Sequence, residues 1–109
     1  MTDRWIDIGT IHDIPRLGAR TVPTPLGDVA VFRTGTDRVF ALFDRCPHKG
    51  GPLSQGIVHG ESVACPLHNW VIDLETGAAC APDKGCARKL AVRVEEGRIL
   101  LSLPLAVAA

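Results

Sequence analysis

Cys46-Pro47-His48-Lys49-Gly50-Gly51-Pro52-Leu53 and, further on, Cys65-Pro66-Leu67-His68-Asn69-Trp70 decide how this chain is read. They spell C-x-H, a spacer of 16 residues from Lys49 to Ala64, then C-x-x-H. Two thiolates and two imidazoles thus arrive as mixed pairs on two separate loops. That donor set suits a 2Fe-2S cluster in which one iron takes both cysteines and the other both histidines. Each loop then reaches across the cluster, giving one ligand to each iron. The chemistry to expect is one-electron transfer, with no substrate bound and transformed at the site.

Zinc also accepts four Cys and His ligands. Structural zinc sites, however, show C-x(2–4)-C or H-x(3–5)-H spacing with like ligands grouped. Here the first pair is shorter and both pairs are mixed, so iron is favoured. Pro47 and Pro66 each follow a cysteine, where proline fixes φ and removes an amide donor, restricting the shape of both loops. Gly50 and Gly51 let the backbone approach inorganic sulfur and aim N–H groups at it, which helps set the potential. A lone cysteine or histidine is ordinarily structural; the specificity lies in the conjunction of both pairs, both prolines and the Gly-Gly turn.

The 109 residues suffice for one domain, 46% of them apolar and 22% charged, an ordinary globular balance. Twelve basic and twelve acidic residues cancel, which argues against a nucleic-acid partner, since such partners favour a basic face. The polar start Met1-Thr2-Asp3-Arg4-Trp5 is unlike a secretory leader. The most apolar stretch, Ile99 to Ala109, is 11 residues long and contains Pro104, against roughly 20 for a spanning helix. A cytoplasmic chain with no membrane partner is expected. In such a compartment four cysteines point to metal ligation before disulfides. Cys80 and Cys86, outside the motif, are expected as free thiols or packed small side chains. His12 and His59 fall outside the motif; His59 is expected to be solvated, and Trp70 to pack against its own part of the core.

Eleven glycines and eight prolines punctuate the chain, with short runs of Val, Ile, Leu and Phe between them. This is the pattern of an all-β domain. Strands are expected at Trp5–Gly9, Ala19–Val22, Asp28–Thr34, Val39–Phe43, Ser62–Cys65, Val71–Asp73, Ala91–Glu95 and Arg98–Ser102. Glu96-Gly97 and Thr34-Gly35-Thr36-Asp37-Arg38 read as hairpin connections. His12 to Pro15 reads equally as a helical turn or a loop, and Gly56 to Gly60 as a turn between the ligand loops. All four proposed ligands fall in the middle of the chain. The expected architecture is one β-sandwich or barrel, residues about 4–43 and 83–103, with a small cluster-binding subdomain, about 44–82, inserted in it.

These residues resemble the Rieske-type iron–sulfur proteins, over nearly the whole chain. The strongest part runs from Cys46 to Gly56 and from Cys65 to Gly77. Within the family, His48-Lys49-Gly50-Gly51-Pro52-Leu53, Leu67-His68-Asn69-Trp70 and Asp83-Lys84-Gly85-Cys86 look most like the small subunit of assimilatory NAD(P)H-dependent nitrite reductase. The resemblance implies that Cys46 and Cys65 hold the inner iron and His48 and His68 the outer one. It implies a large partner subunit carrying flavin and siroheme, with nitrite reduced to ammonium in nitrate assimilation. The alternative within the family is a free Rieske ferredoxin serving a ring-hydroxylating dioxygenase. Respiratory Rieske proteins carry an extra cysteine in each loop; the corresponding places here are Gly51 and Leu67, so that bridge is absent. The hydroxyl donors that raise the potential in those proteins are missing too, and the chain has no tyrosine. A potential near the low end of the Rieske range, about −150 mV, follows.

Overall fold

β-Branched and aromatic runs pair into three antiparallel sheets in a computed structural model that describes residues 4–25, 27–45, 52–65, 70–79, 87 and 89–103. The strands are β1 (Arg4–Thr10), β2 (Gly18–Thr24), β3 (Gly27–Arg33), β4 (Val39–Phe43), β5 (Ile57–His59), β6 (Ser62–Ala64), β7 (Val71–Asp73), β8 (Lys89–Leu90), β9 (Val92–Glu95) and β10 (Arg98–Leu103). Their orders are β1-β10-β9, β2-β3-β4-β8 and β5-β6-β7. The fold is all-β, and the sheet β5-β6-β7 lies in sequence between β4 and β8 of another sheet. Short 3-10 turns occupy Ile11–Asp13 and Leu53–Gln55.

The middle sheet has a core on each face, and the sequence of β3 shows why. Val29 to Phe32 are all fully buried. Successive strand residues point to opposite sides, so this run must be covered twice. Ala30 and Phe32, with Leu42 of β4, pack with Leu53, Val58, Val63, Cys65, Ile72 and Leu74. Val29 and Val31, with Ala41, pack instead with Ile14, Leu90, Ile99 and Leu101. One face of the sheet therefore supports the inserted sheet and the other supports β1-β10-β9. Each large apolar side chain so buried contributes about 1.5–3 kcal/mol.

Both expected hairpins form. Glu96 (φ 52) and Gly97 (φ 79) take the left-handed region at the β9–β10 turn, the conformation two-residue hairpins favour. The β3–β4 turn closes through the Thr34 N–H to the Arg38 carbonyl at 2.8 Å. Two short strands escape the sequence reading. β5 takes up Ile57 to His59, expected as a turn, and the turn proper is Gly60-Glu61. Glycines at 56 and 60 enclose it, the composition of a turn, although Val58 is buried and its two neighbours are exposed. β8 is only two residues long and exists by pairing with β4.

The Arg33 side chain pegs the end of β3 to the segment after β1. It is nearly fully buried, and its Nη1 donates to the carbonyls of Ile11 (3.1 Å) and Ile14 (2.8 Å). Its Nε donates to Asp37 at 3.0 Å, and Arg16 grips the same carboxylate at 2.9 and 3.1 Å. The Arg16 hydrogen bond, seconded by that of Arg33, holds the Asp37 carboxyl down from 3.8 to about 2. Because the folded value is depressed, the stabilisation is complete above 3.8 and is lost as pH falls through about 2. Asp37→Asn should therefore lower the urea midpoint at pH 6, and the gap to the unaltered chain should close toward pH 2. An equal gap at both ends of that range would contradict the assignment.

Candidate metal centre

The first ligand loop leaves the end of β4 and returns at the 3-10 turn Leu53–Gln55. Asp44 sits at its neck. The Asp44 N–H donates to the Asp28 carbonyl at 2.9 Å, extending the β3–β4 ladder by one residue. Its carboxylate faces the returning chain: Oδ1 accepts the Ser54 N–H and Oδ2 the Ser54 hydroxyl, each at 2.7 Å. The Thr21 hydroxyl of β2 lies 3.5 Å from Oδ2. Leu53, next to Ser54, is fully buried in the core that contains Cys65.

The second proposed ligand pair falls in sequence between β6 and β7, which pair with each other. Ala64 pairs with Val71, and the Cys65 N–H then donates to the Trp70 carbonyl at 2.7 Å. Residues 66–69 lie outside the described residues. Cys65 is fully buried, on the same side of the hairpin as Val63, and Trp70 packs partly buried against that core. The two necks abut. A Cβ at Gly56 would collide with the Ala64 carbonyl oxygen and stand 2.9 Å from Val63 Cγ2. Only glycine lets the chain leaving the first loop run so close to the strand entering the second.

Of the four proposed ligands, Cys65 is described, and it stands where the hairpin pairing ends. Cys46, His48 and His68 lie outside the described residues, as do Cys80 and Cys86. Among the described residues no three His, Cys, Asp or Glu side chains converge on a metal position. His12 and His59 are exposed, on the first 3-10 turn and at the end of β5. The described scaffold fits a cluster held by two loops: both necks are closed by hydrogen bonds, they touch at Gly56 and Ala64, and one carries a buried thiol. Asp44 and Ser54 were missed in the sequence. The available signal was a carboxylate two residues before the first cysteine and a hydroxyl just past the Gly-Gly-Pro turn.

The family model described as the Rieske [2Fe-2S] domain matches residues 4–96. The ferredoxin subunit of anthranilate 1,2-dioxygenase from Burkholderia cepacia is 43% identical over 96 residues, 87% of this chain and 88% of that one. The solved ferredoxin of carbazole 1,9a-dioxygenase from Nocardioides aromaticivorans IC177 is 27% identical with a TM-score of 0.82, covering 95% of this chain and 100% of that one. A candidate NADH-dependent nitrite reductase small subunit from Mycobacterium tuberculosis has a TM-score of 0.85 at 22% identity, covering 95% of this chain and 98% of that one. Among the described residues no helix is long and apolar enough to cross a membrane.

Proposed function

The chain belongs to the Rieske [2Fe-2S] domain family and carries a 2Fe-2S cluster, and on that ground we propose that it is the ferredoxin of a ring-hydroxylating oxygenase system. The observation that carries this reading is the 43% identity to a dioxygenase ferredoxin subunit, spread over 87% of the chain. The cluster supplies one-electron exchange, taken from a reductase and passed to an oxygenase. Cys46 and Cys65 hold one iron and His48 and His68 the other, on a unit of about residues 44–82. The remainder, about 4–43 and 83–103, is the base on which that unit stands. The chain works in the cytoplasm, without nucleic acid or membrane.

What the chain itself contributes is a rigid mounting and a dry flank. The Cys65 backbone is fixed by its bond to Trp70, and the side chain enters the carrier's apolar core alongside Leu53, Val63 and Ile72.

A second reading is the small subunit of assimilatory NAD(P)H-dependent nitrite reductase, beside a large flavin and siroheme subunit. The wording of the motifs, His48-Lys49-Gly50-Gly51-Pro52-Leu53 above all, favours it. The likeness to the candidate nitrite reductase subunit, at 22% identity, carries the fold alone.

Low-temperature EPR of the dithionite-reduced chain, followed by affinity purification from its own cells, separates the two. A Rieske-type signal together with reductase-dependent electron delivery to an oxygenase supports the ferredoxin. A stable complex with a large siroheme protein, and loss of growth on nitrite when the gene is deleted, would replace it with the second reading.

A further inference from the structure

We propose that Asp44 and Ser54 form a clasp that positions the first ligand loop, so that the lifetime of the cluster is set by a carboxylate outside the ligand set. The inference rests on the ligand assignment given under Proposed function; Asp44 and Ser54 themselves lie within the described residues.

The pair spans the loop that contains Cys46 and His48. Both carboxylate oxygens are used, each on a different donor of the same residue, at 2.7 Å. Bonds to an ionised acceptor are shorter and stronger than those between neutral groups. Two bonds to one residue also fix direction as well as distance. On its other side the clasp is tied to the middle sheet, through the Asp44 N–H to Asp28 on β3 and the Thr21 hydroxyl on β2. A loop with consecutive glycines at 50 and 51 has much conformational freedom to lose, and a fixed neck removes part of that loss before any ligand is placed.

The clasp also reaches the second loop. Ser54 is flanked by Leu53, buried in the core that holds Cys65, and is followed by Gly56 against the Ala64 carbonyl. Position is therefore transmitted from β3 through Asp44 and Ser54 to the residue preceding Cys65. The spacing of the two necks, which any bridging group requires, depends on this short chain of contacts. A merely structural turn would stabilise the fold alike with or without the cluster. A positioning clasp acts chiefly on how long the cluster is retained.

The test uses the cluster-loaded protein and the variants Asp44→Ala, Asp44→Asn, Ser54→Ala and the double alanine variant. The readout is the first-order rate of loss of visible absorbance and acid-labile sulfide in excess EDTA, under conditions where circular dichroism shows every variant folded. Asp44→Ala should release its cluster about tenfold faster or more, as expected for losing hydrogen bonds to a charged acceptor. Ser54→Ala should release it faster by a smaller factor, since the Ser54 N–H remains. Asp44→Asn should fall between the unaltered chain and Asp44→Ala, because the amide oxygen still accepts that N–H. The double variant should release no faster than Asp44→Ala alone, the signature of a shared interaction.

Release rates within about twofold of the unaltered chain, or single-variant factors that simply multiply in the double variant, would overturn the clasp. If Asp44→Ala does not fold, Asp44→Asn and Ser54→Ala decide by the same criterion. An unaltered chain without a Rieske EPR signal would instead remove the ligand assignment, and with it the object being positioned.

Discussion

Cys65→Ala should leave a folded, colourless chain with neither iron nor acid-labile sulfide, against about two irons per chain expected of the unaltered protein. The residue is placed for a clean experiment. Its backbone is held by the bond from its N–H to the Trp70 carbonyl, which alanine keeps. Its side chain lies in a core with Leu53, Val63 and Ile72, so the change removes one sulfur and leaves a small void. That void is minor beside leucine-to-alanine truncations, which cost about 3–5 kcal/mol. The larger loss is of the cluster, and with it the stabilisation that any group bound only by the folded state provides. The melting temperature should therefore fall toward that of the cluster-free chain and stop there. Cys80→Ala and Cys86→Ala, outside the proposed ligand set, should keep full iron and sulfide. Iron and sulfide retained in Cys65→Ala would end the assignment.

Phe32→Ala should be the most damaging single truncation of the described core, costing about 3–5 kcal/mol. Against a total of about 5–15 kcal/mol for a domain, that endangers folding, and the melting temperature should fall by more than about 10 °C. The residue is fully buried on the central strand β3. It pairs with Ala19 on one side and Phe40 on the other. It faces the core shared with Leu53 and Cys65, so its loss opens the contact between the middle sheet and the inserted one. Cluster retention should fall along with stability, because the floor beneath both loop necks loosens. Urea unfolding measures the first effect and sulfide content the second. A loss below about 1 kcal/mol would show that the site collapses without leaving a cavity.

Most of the strands were readable because runs rich in valine, isoleucine, leucine and phenylalanine end at glycine, proline or a charged turn. Val39–Phe43 and Val71–Asp73 come out with the bounds expected of them. The hairpin at Glu96-Gly97 was readable because a positive φ narrows the choice of residue. Ile57–His59 was not, since glycines at 56 and 60 enclose it and give it the composition of a turn. Nor was Lys89–Leu90, which is a strand by virtue of its partner on β4.

The candidate centre divides in the same way. Donor identity and loop spacing are local properties, so the two mixed Cys/His pairs and the cluster they imply could be read without coordinates. The role of Asp44 could not, because a carboxylate in a sequence does not say which donor it faces ten residues away. Nor could the alternation on β3: Val29 to Phe32 reads as one apolar run, and which residue serves which core depends on what packs against each face. Chemistry was thus written in the order of residues, whereas the mounting of that chemistry was decided by contacts between segments distant along the chain. Those contacts form only when burial of both faces of one sheet brings the segments together.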